Sequence, residues 1–216
     1  FYCDATQVGP LAISREALAL GEDDAVFRLF IMLAMYQALR DEVIRQQQRA
    51  LRLADVRVLV DARFIGRAVS KHYCPAFGSA AAFERECRVR KTDRIVDCLI
   101  FPSTRCHVKD ATVAFNRMGD MGKLPSSAWL RIWKDSGSRK VLADMSREEQ
   151  SPTKRAELLV KRFASVHRVG RKLATMFVSA LSTPALAPGL TPWFPEIDGN
   201  ELVVIDTNVA RAVDAL

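Results

Sequence analysis

The feature that most constrains the fold is a pair of helical apolar repeats that lie close together in the last third of the chain. The first follows Ser151-Pro152 and the second follows Gly170, and each repeats with the i, i+3, i+4, i+7 spacing of an amphipathic helix. The repeating residues are Ala156, Leu159, Val160 and Phe163, then Leu173, Met176, Phe177, Ala180 and Leu181. Only residues 165–171 separate the two repeats, so the sequence predicts two helices joined by a tight turn.

Helical signals dominate elsewhere, and we expect an all-α protein. Asp23 or Asp24 can cap an apolar helix that continues to about Arg49. The alternating valines 56, 58 and 60 lack a second alternating run to pair with, so we assign this segment to a helix. Further helix starts are predicted at Pro125-Ser126-Ser127, leading to Trp133 and stopping at Ser136-Gly137, at a capping box from Ser146 to Glu149, and at Ser151-Pro152. Residues 72–122 give no clear pattern.

Composition favours a basic globular protein with an anionic partner. The 216 residues carry 32 Lys and Arg against 25 Asp and Glu, a net charge of +7. Net charge bears on association with nucleic acid and not on the fold, and an ordinary basic protein remains the alternative. The longest apolar run, Ala25 to Ala38, contains Arg28 and Gln37 and is shorter than the roughly 18 residues of a membrane span. We therefore expect no membrane association.

The cysteines favour a reducing compartment. Their number, five, is odd, and a chain of this length does not need disulfides, so we expect a cytoplasmic protein. A zinc site could be assembled from several thiols and imidazoles, but no Cys-x-x-Cys pair is present. Its members would be His72, Cys74, Cys87, Cys98, Cys106 and His107. We favour buried free cysteines, no metal and no cofactor.

The turn between the two C-terminal helices suits a phosphate. Gly170 can adopt positive φ without penalty, and the amides that open the second helix lie at the positive end of its dipole. Arg168 and Arg171 flank this turn and would attract a nucleic acid backbone. An ordinary helical hairpin with a solvated cationic tip is the alternative interpretation.

These residues carry a resemblance. The segment Val169-Gly170-Arg171-Lys172-Leu173-Ala174 resembles the helix-hairpin-helix turn of the DNA glycosylases related to endonuclease III, where Val-Gly-Arg-Lys-Thr-Ala is typical. In bifunctional members, the lysine two places after the turn glycine attacks the sugar C1′ and forms a Schiff base, which implies this role for Lys172. The family turn usually reads Leu-Pro-Gly-Val-Gly, so His167 and Arg168 replace its proline and first glycine here.

A second segment supports the resemblance. Asp206 follows the apolar run Val203 to Ile205 and can cap the helix predicted after it. The sequence Ile205-Asp206-Thr207-Asn208-Val209-Ala210-Arg211 resembles the segment of the same family that carries its catalytic aspartate. The resemblance implies that Asp206 stabilises positive charge on the sugar. No cysteine follows Cys106, so the iron-sulfur cluster of some members is absent.

Two further features have a sharp and a bland interpretation. Gln37 lies where the family carries a glutamine that fills the gap left by an extruded base, although a single glutamine is a weak signal. The loop 182–200 is longer than the family's usual link and contains Trp193 and Phe194. It is either a surface excursion or a wall of the base pocket.

The resemblance implies a two-layer helical bundle of the glycosylase type with a cleft between the layers. We expect one unit, residues 1–216, in which residues 1–23 and 183–216 can form a subdomain on residues 24–182. The implied function is a DNA glycosylase and AP lyase, a monomer near the nucleoid. Its catalytic residues would be Lys172 and Asp206, and double-stranded DNA with a damaged or modified base would contact Gln37, His167, Arg168, Val169, Gly170 and Arg171. The alternatives are an inactive DNA-binding module and a defence glycosylase acting on modified phage DNA.

Overall fold

The computed structural model confirms a predominantly helical protein. It describes residues 7–9, 11–37, 40–71, 79–90, 106–116, 121–135 and 137–204, with the side chains of 68–71 excepted. These residues form one two-stranded antiparallel pair, β1 (Gln7–Val8) and β2 (Ile13–Ser14), eleven α-helices and one π-helical turn. The helices are α1 (Arg15–Ala19), α2 (Asp23–Ala34), α3 (Asp41–Ala50), α4 (Leu53–Val60), α5 (Ala62–Lys71), α6 (Ala80–Glu86), α7 (His107–Ala114), α8 (Leu124–Ala128), α9 (Gly137–Glu148), α10 (Pro152–Ala164) and α11 (Gly170–Ser182), and the π-helical turn is Trp129–Trp133.

Helix α2 is the apolar centre of the molecule, and it ends much earlier than its sequence predicts. The expected helix from Asp23 or Asp24 to Arg49 is wrong, because α2 stops at Ala34 and the charged half forms a separate helix, α3. Gln48 of α3 is buried and donates from Nε2 to the carbonyl of Met32 at 2.9 Å. This bond satisfies a carbonyl near the C-terminal end of α2 and packs α3 back against it.

The two aspartates at the start of α2 do not cap it with their side chains. The N-cap position is Glu22, and it makes no side-chain capping bond. Asp23 instead accepts from the amide of Ser138 at 2.9 Å and from its hydroxyl at 2.7 Å, and Asp24 accepts from the amide of Arg63 at 3.1 Å. These carboxylates therefore join α2 to the starts of α9 and α5.

A buried ion pair explains how apolar α2 accommodates Arg28. The guanidinium donates from Nε to Asp61 at 2.5 Å and from Nη1 to the carbonyl of Ala12 at 3.1 Å. Asp61 is fully buried between α4 and α5 and also accepts from Arg57 at 3.1 Å. A buried carboxylate needs such donors, because leaving either partner unpaired in the interior is costly.

An aromatic cluster joins α2 to the hairpin of α10 and α11. Phe163 of α10 lies 4.7 Å from Phe177 of α11 and 5.4 Å from Phe30 of α2 between ring centroids. Trp193, from the loop after α11, packs 5.6 Å from Phe177 and 6.1 Å from Phe163. Trp193 is only 3% exposed, so this part of the loop belongs to the core and does not form a wall for an extruded base.

Several local predictions have clear outcomes. Residues 53–60 are helical, as expected, and Ser151 caps α10 by accepting from the amide of Lys154. The helix predicted from Pro125-Ser126-Ser127 is present, but it changes to π-helical geometry at Trp129. The capping box at Ser146 is wrong, since α9 runs through this serine. The predicted stop at Gly137 is instead a start, because Gly137 begins α9 with φ of 77°.

The buried side chains form one main cluster and one small one. The main cluster extends in sequence from Val8 to Ile197, and it includes residues of the β pair, α2, α10 and α11. The second consists of Phe83, Cys87, Cys106 and Val108, with both cysteines free and buried. Among the described helices, none has both the length and the apolar character needed to cross a membrane.

Two adjacent aromatic residues test the role of the 182–200 loop in stability. Trp193→Ala should lower the free energy of unfolding by about 3–5 kcal/mol, because it removes a buried ring from the aromatic cluster. Phe194→Ala should cost less than about 1 kcal/mol, since Phe194 is 40% exposed. Urea unfolding of the two variants measures both values. Equal costs would contradict the placement of Trp193 in the core.

Candidate nucleic-acid interface

The predicted helical hairpin is present, and its turn has an unusual backbone. Helix α10 ends at Ala164 and α11 begins at Gly170. Gly170 has φ of 59°, and a side chain added to it would meet no atom within 4 Å. Conformation and not space therefore makes glycine suitable there. Arg168 also has positive φ, 61°, so the backbone is left-handed where the resembled turn carries its first glycine.

The turn separates apolar anchors from exposed cations. Val166 and Val169 are each 2% exposed and belong to the main core cluster. Arg168, Arg171 and Lys172 are exposed. The amide of Val169 donates to the carbonyl of Val166 at 3.0 Å and closes the turn. The buried valines thus hold the backbone while three positively charged side chains face solvent at the tip.

Lys172 lies in the first turn of α11, where the sequence places it, but its surroundings differ from expectation. We expected the neighbouring apolar stripe to desolvate it, and this expectation is wrong because the side chain is exposed. Leu173 and Phe177 of that stripe face the core, and helical geometry turns Lys172 away from them. A lysine becomes a nucleophile when desolvation or nearby positive charge favours its neutral amine. Arg171 can supply the charge, whereas desolvation requires a bound partner.

A carboxylate beneath the turn fixes its position, and the sequence gave no indication of it. The amide of His167 donates to Ser127 Oγ at 3.0 Å, and the hydroxyl of Ser127 donates to Glu84 Oε1 at 2.5 Å. Arg131 donates to both Glu84 oxygens, at 2.8 and 2.6 Å. Glu84, on α6, therefore links α8, the π-helical turn and the hairpin. Such a fork is specific and strong, because both partners are charged and planar.

The network sets the charge state of Glu84. Burial alone would raise the pKa of the Glu84 carboxyl, but the hydrogen bonds from Arg131 and Ser127 and the charges of Arg131 and His167 outweigh it. The result is a pKa below the ordinary value of 4.5. In turn, the hydrogen bond to Glu84 raises the pKa of Arg131 against the effect of burial. Both groups are therefore ionised at neutral pH.

Gln37 lies beyond the end of α2 and is half-buried. Its Nε2 lies 3.9 Å from Met121 Sδ, a weak contact that a stronger partner could displace. The adjacent Tyr36 lines a pocket that also includes Met176 of α11. The structure therefore brings the end of α2 toward the helix that begins with the candidate lysine.

The structure does not test the other candidate residues in the same way. Asp206 lies outside the described residues, so its distance from Lys172 is not given by the structure. Val203, in the run before it, is 67% exposed. Of the zinc candidates, His72, Cys74 and Cys98 also lie outside the described part. Within that part, no group of three or more His, Cys, Asp or Glu is arranged to hold a metal ion.

The left-handed backbone at Arg168 yields a prediction with two matched variants. Arg168→Gly and Arg168→Ala remove the same charge, and only glycine relieves the strain of positive φ. We expect the glycine variant to be more stable than the alanine variant by about 1 kcal/mol, measured by urea unfolding. Both should show a shallower dependence of DNA affinity on salt than the parent, by about one unit of slope. Equal stability of the variants would contradict the turn geometry.

The Glu84 network yields a pH-dependent prediction. A lowered folded-state pKa stabilises the fold above the unfolded-state value of about 4.5, and this contribution is lost as pH falls through the folded pKa. Glu84→Gln should therefore cost about 1–2 kcal/mol at pH 7 and progressively less below pH 4.5. Urea unfolding from pH 7 to pH 3 measures the difference. Glu86→Gln is the control, because Glu86 is half-exposed and pairs only with its neighbour Arg85 in the printed contacts. A cost for Glu84→Gln that is constant with pH would contradict the network.

Comparisons of the chain with protein-family models, curated proteins and solved structures found no match. The functional argument therefore depends on the residues of the hairpin and on the surfaces beside it.

Proposed function

We propose that this protein is a DNA glycosylase with AP lyase activity, and that the hairpin of α10 and α11 is its contact with the DNA backbone. The observation that carries the proposal is the tip of the hairpin. A turn with positive φ at Arg168 and Gly170 leads directly into a helix whose first turn presents Arg171 and Lys172 to solvent. A lysine in this place lies beside the site where amides and guanidiniums would hold a phosphate.

The backbone contacts position the sugar. The opening amides of α11 and the charges of Arg168 and Arg171 would bind one phosphate and its neighbour, which sets the register of the duplex without selecting a sequence. His167 and Val169 hold the turn, through the hydrogen bond to Ser127 and through burial respectively. Bound DNA would also cover Lys172 and thereby supply the desolvation that the free protein lacks.

The chemistry then follows from a lysine and a carboxylate. The neutral Nζ of Lys172 attacks C1′, and the departing base takes the electron pair of the glycosidic bond and acquires a proton. Asp206 stabilises the positive charge that develops on the sugar. Loss of a proton from the amine and opening of the sugar give a Schiff base between Lys172 and C1′. Removal of a C2′ proton then expels the 3′ phosphate and cuts the strand.

Trapping of the Schiff base tests the proposal. A duplex with one preformed abasic site, treated with borohydride, should give a covalent adduct with the parent protein and none with Lys172→Ala. Lys140→Ala is the matched control, because Lys140 is an exposed lysine on α9 that is remote in sequence from the turn, and it should keep the adduct. Asp206→Asn should slow release of a base from an intact lesion by about 100-fold or more.

The outcomes separate the alternatives. An adduct with the parent that persists in Lys172→Ala would assign the chemistry to another amine. Salt-dependent DNA binding by the parent without any adduct would support the inactive DNA-binding module. Release of bases from modified phage DNA, and not from damaged host DNA, would support the defence role.

A further inference from the structure

A pocket of about 300 Å³ lies between the end of α2, α3 and α11. Met32 and Tyr36 line it from α2, Arg45 and Gln48 from α3, Met176 from α11, and Gly9 from the segment after β1. This volume is at the lower end of the range of small-molecule sites and is sufficient for one flat heteroaromatic ring system. The sequence could not reveal it, because its lining comes from four separate segments.

The pocket lies one helical turn from Lys172. Met176 follows Lys172 by four residues, so both side chains are on the same face of α11, about 6 Å apart along the axis. Tyr36 brings the end of α2 to the opposite side of the pocket, next to Gln37. A base attached to a sugar under attack by Lys172 must leave the helix on this side, since only one bond joins C1′ to the base.

The chemistry of the lining is specific. Thioethers from Met32 and Met176 and the ring of Tyr36 offer polarisable and aromatic contacts for a planar ring. Arg45 is a pure donor at the exposed side of the pocket. Buried Gln48 uses Nε2 for the carbonyl of Met32, which leaves Oε1 outside that bond. None of these lining residues is acidic.

We propose that this pocket receives the extruded base, and that it selects neutral bases bearing exocyclic carbonyl oxygens over positively charged alkylated bases. The inference depends on the proposed function and specifies its substrate class. The guanidinium of Arg45 attracts a carbonyl oxygen and repels a cationic ring, and no carboxylate of the lining compensates that repulsion. Uracil, hypoxanthine and 8-oxoguanine belong to the favoured class, and 7-methylguanine belongs to the disfavoured class.

The floor of the pocket restricts its depth. A Cβ on Gly9 would lie 2.3 Å from Met32 Sδ, and Gly9 has φ of 67°, so the backbone contacts the thioether directly. Larger side chains in the lining would therefore reduce the space available to a base. Met176→Phe makes such a change at a half-buried position on the edge of the core.

The test measures single-turnover release of bases from duplexes that carry one uracil, one 8-oxoguanine or one 7-methylguanine. The parent should release at least one of the two carbonyl-bearing bases about 10-fold or more faster than 7-methylguanine. Arg45→Glu should reduce or reverse this ratio by about 10-fold, which corresponds to about 1.4 kcal/mol. Arg49→Glu, the same charge change one turn along α3 at an exposed residue that is not among the lining residues, should change the ratio less than about 2-fold.

A second variant isolates the pocket from the lysine. Met176→Phe should slow release of every base yet retain the borohydride adduct on a preformed abasic site, because that substrate has no base to accommodate. Faster release of 7-methylguanine by the parent, or unchanged rates and ratios in both Met176→Phe and Arg45→Glu, would overturn the inference. An adduct on abasic DNA without release of any base would also overturn it while preserving the lysine chemistry. Absence of that adduct in the parent would instead refute the proposed function.

Discussion

The contact between Phe163 and Phe177, with ring centroids 4.7 Å apart, is the interaction on which the candidate site depends. It joins α10 to α11 and, through Phe30 and Trp193, fixes the hairpin to the core. Aromatic pairs in this edge-to-face geometry contribute beyond the area they bury. Because both arms are held this way, the short turn between them must reverse the chain sharply. Left-handed backbone at Arg168 and Gly170 is the consequence, and the exposed start of α11 follows from it.

The tip of the hairpin is rigid below and open above. Beneath it, Ser127 and the ion pair of Glu84 with Arg131 receive the turn amide, so the backbone has a fixed platform. Above it, Arg171 and Lys172 have no such restraint from burial. This division suits a surface that must present amides and charges in a defined place while it leaves the reactive amine free to meet a ligand. It also means that the free protein is an incomplete active site, since a nucleic acid must exclude water from Lys172.

The sequence predicted the parts of the fold that local chemistry determines. Ser151-Pro152 marks the start of α10, and the apolar periods of α10 and α11 correctly predict which faces are buried. It failed where distant residues decide. Nothing near Ala34 stops α2, and its end is fixed by Gln48, which reaches back from α3. Ser146 matches a capping box, but α9 is stabilised by contacts elsewhere and continues through it. Glu84 and the lining of the pocket are likewise tertiary features, so no motif could indicate them. The resemblance to a glycosylase located Lys172 correctly at a hairpin tip and left its surroundings to be determined.

The most direct measurement of the central claim is to identify the amino acid that carries the reduced adduct. After borohydride treatment with abasic DNA, nuclease and protease digestion, mass spectrometry should find the sugar remnant on the peptide that contains Lys172. Lys161 and Lys154, exposed on α10 of the same hairpin, provide internal comparison sites under identical conditions. A remnant on Lys172 alone is the result that the account predicts. A remnant distributed over these lysines, or confined to a residue outside the hairpin tip, would contradict it.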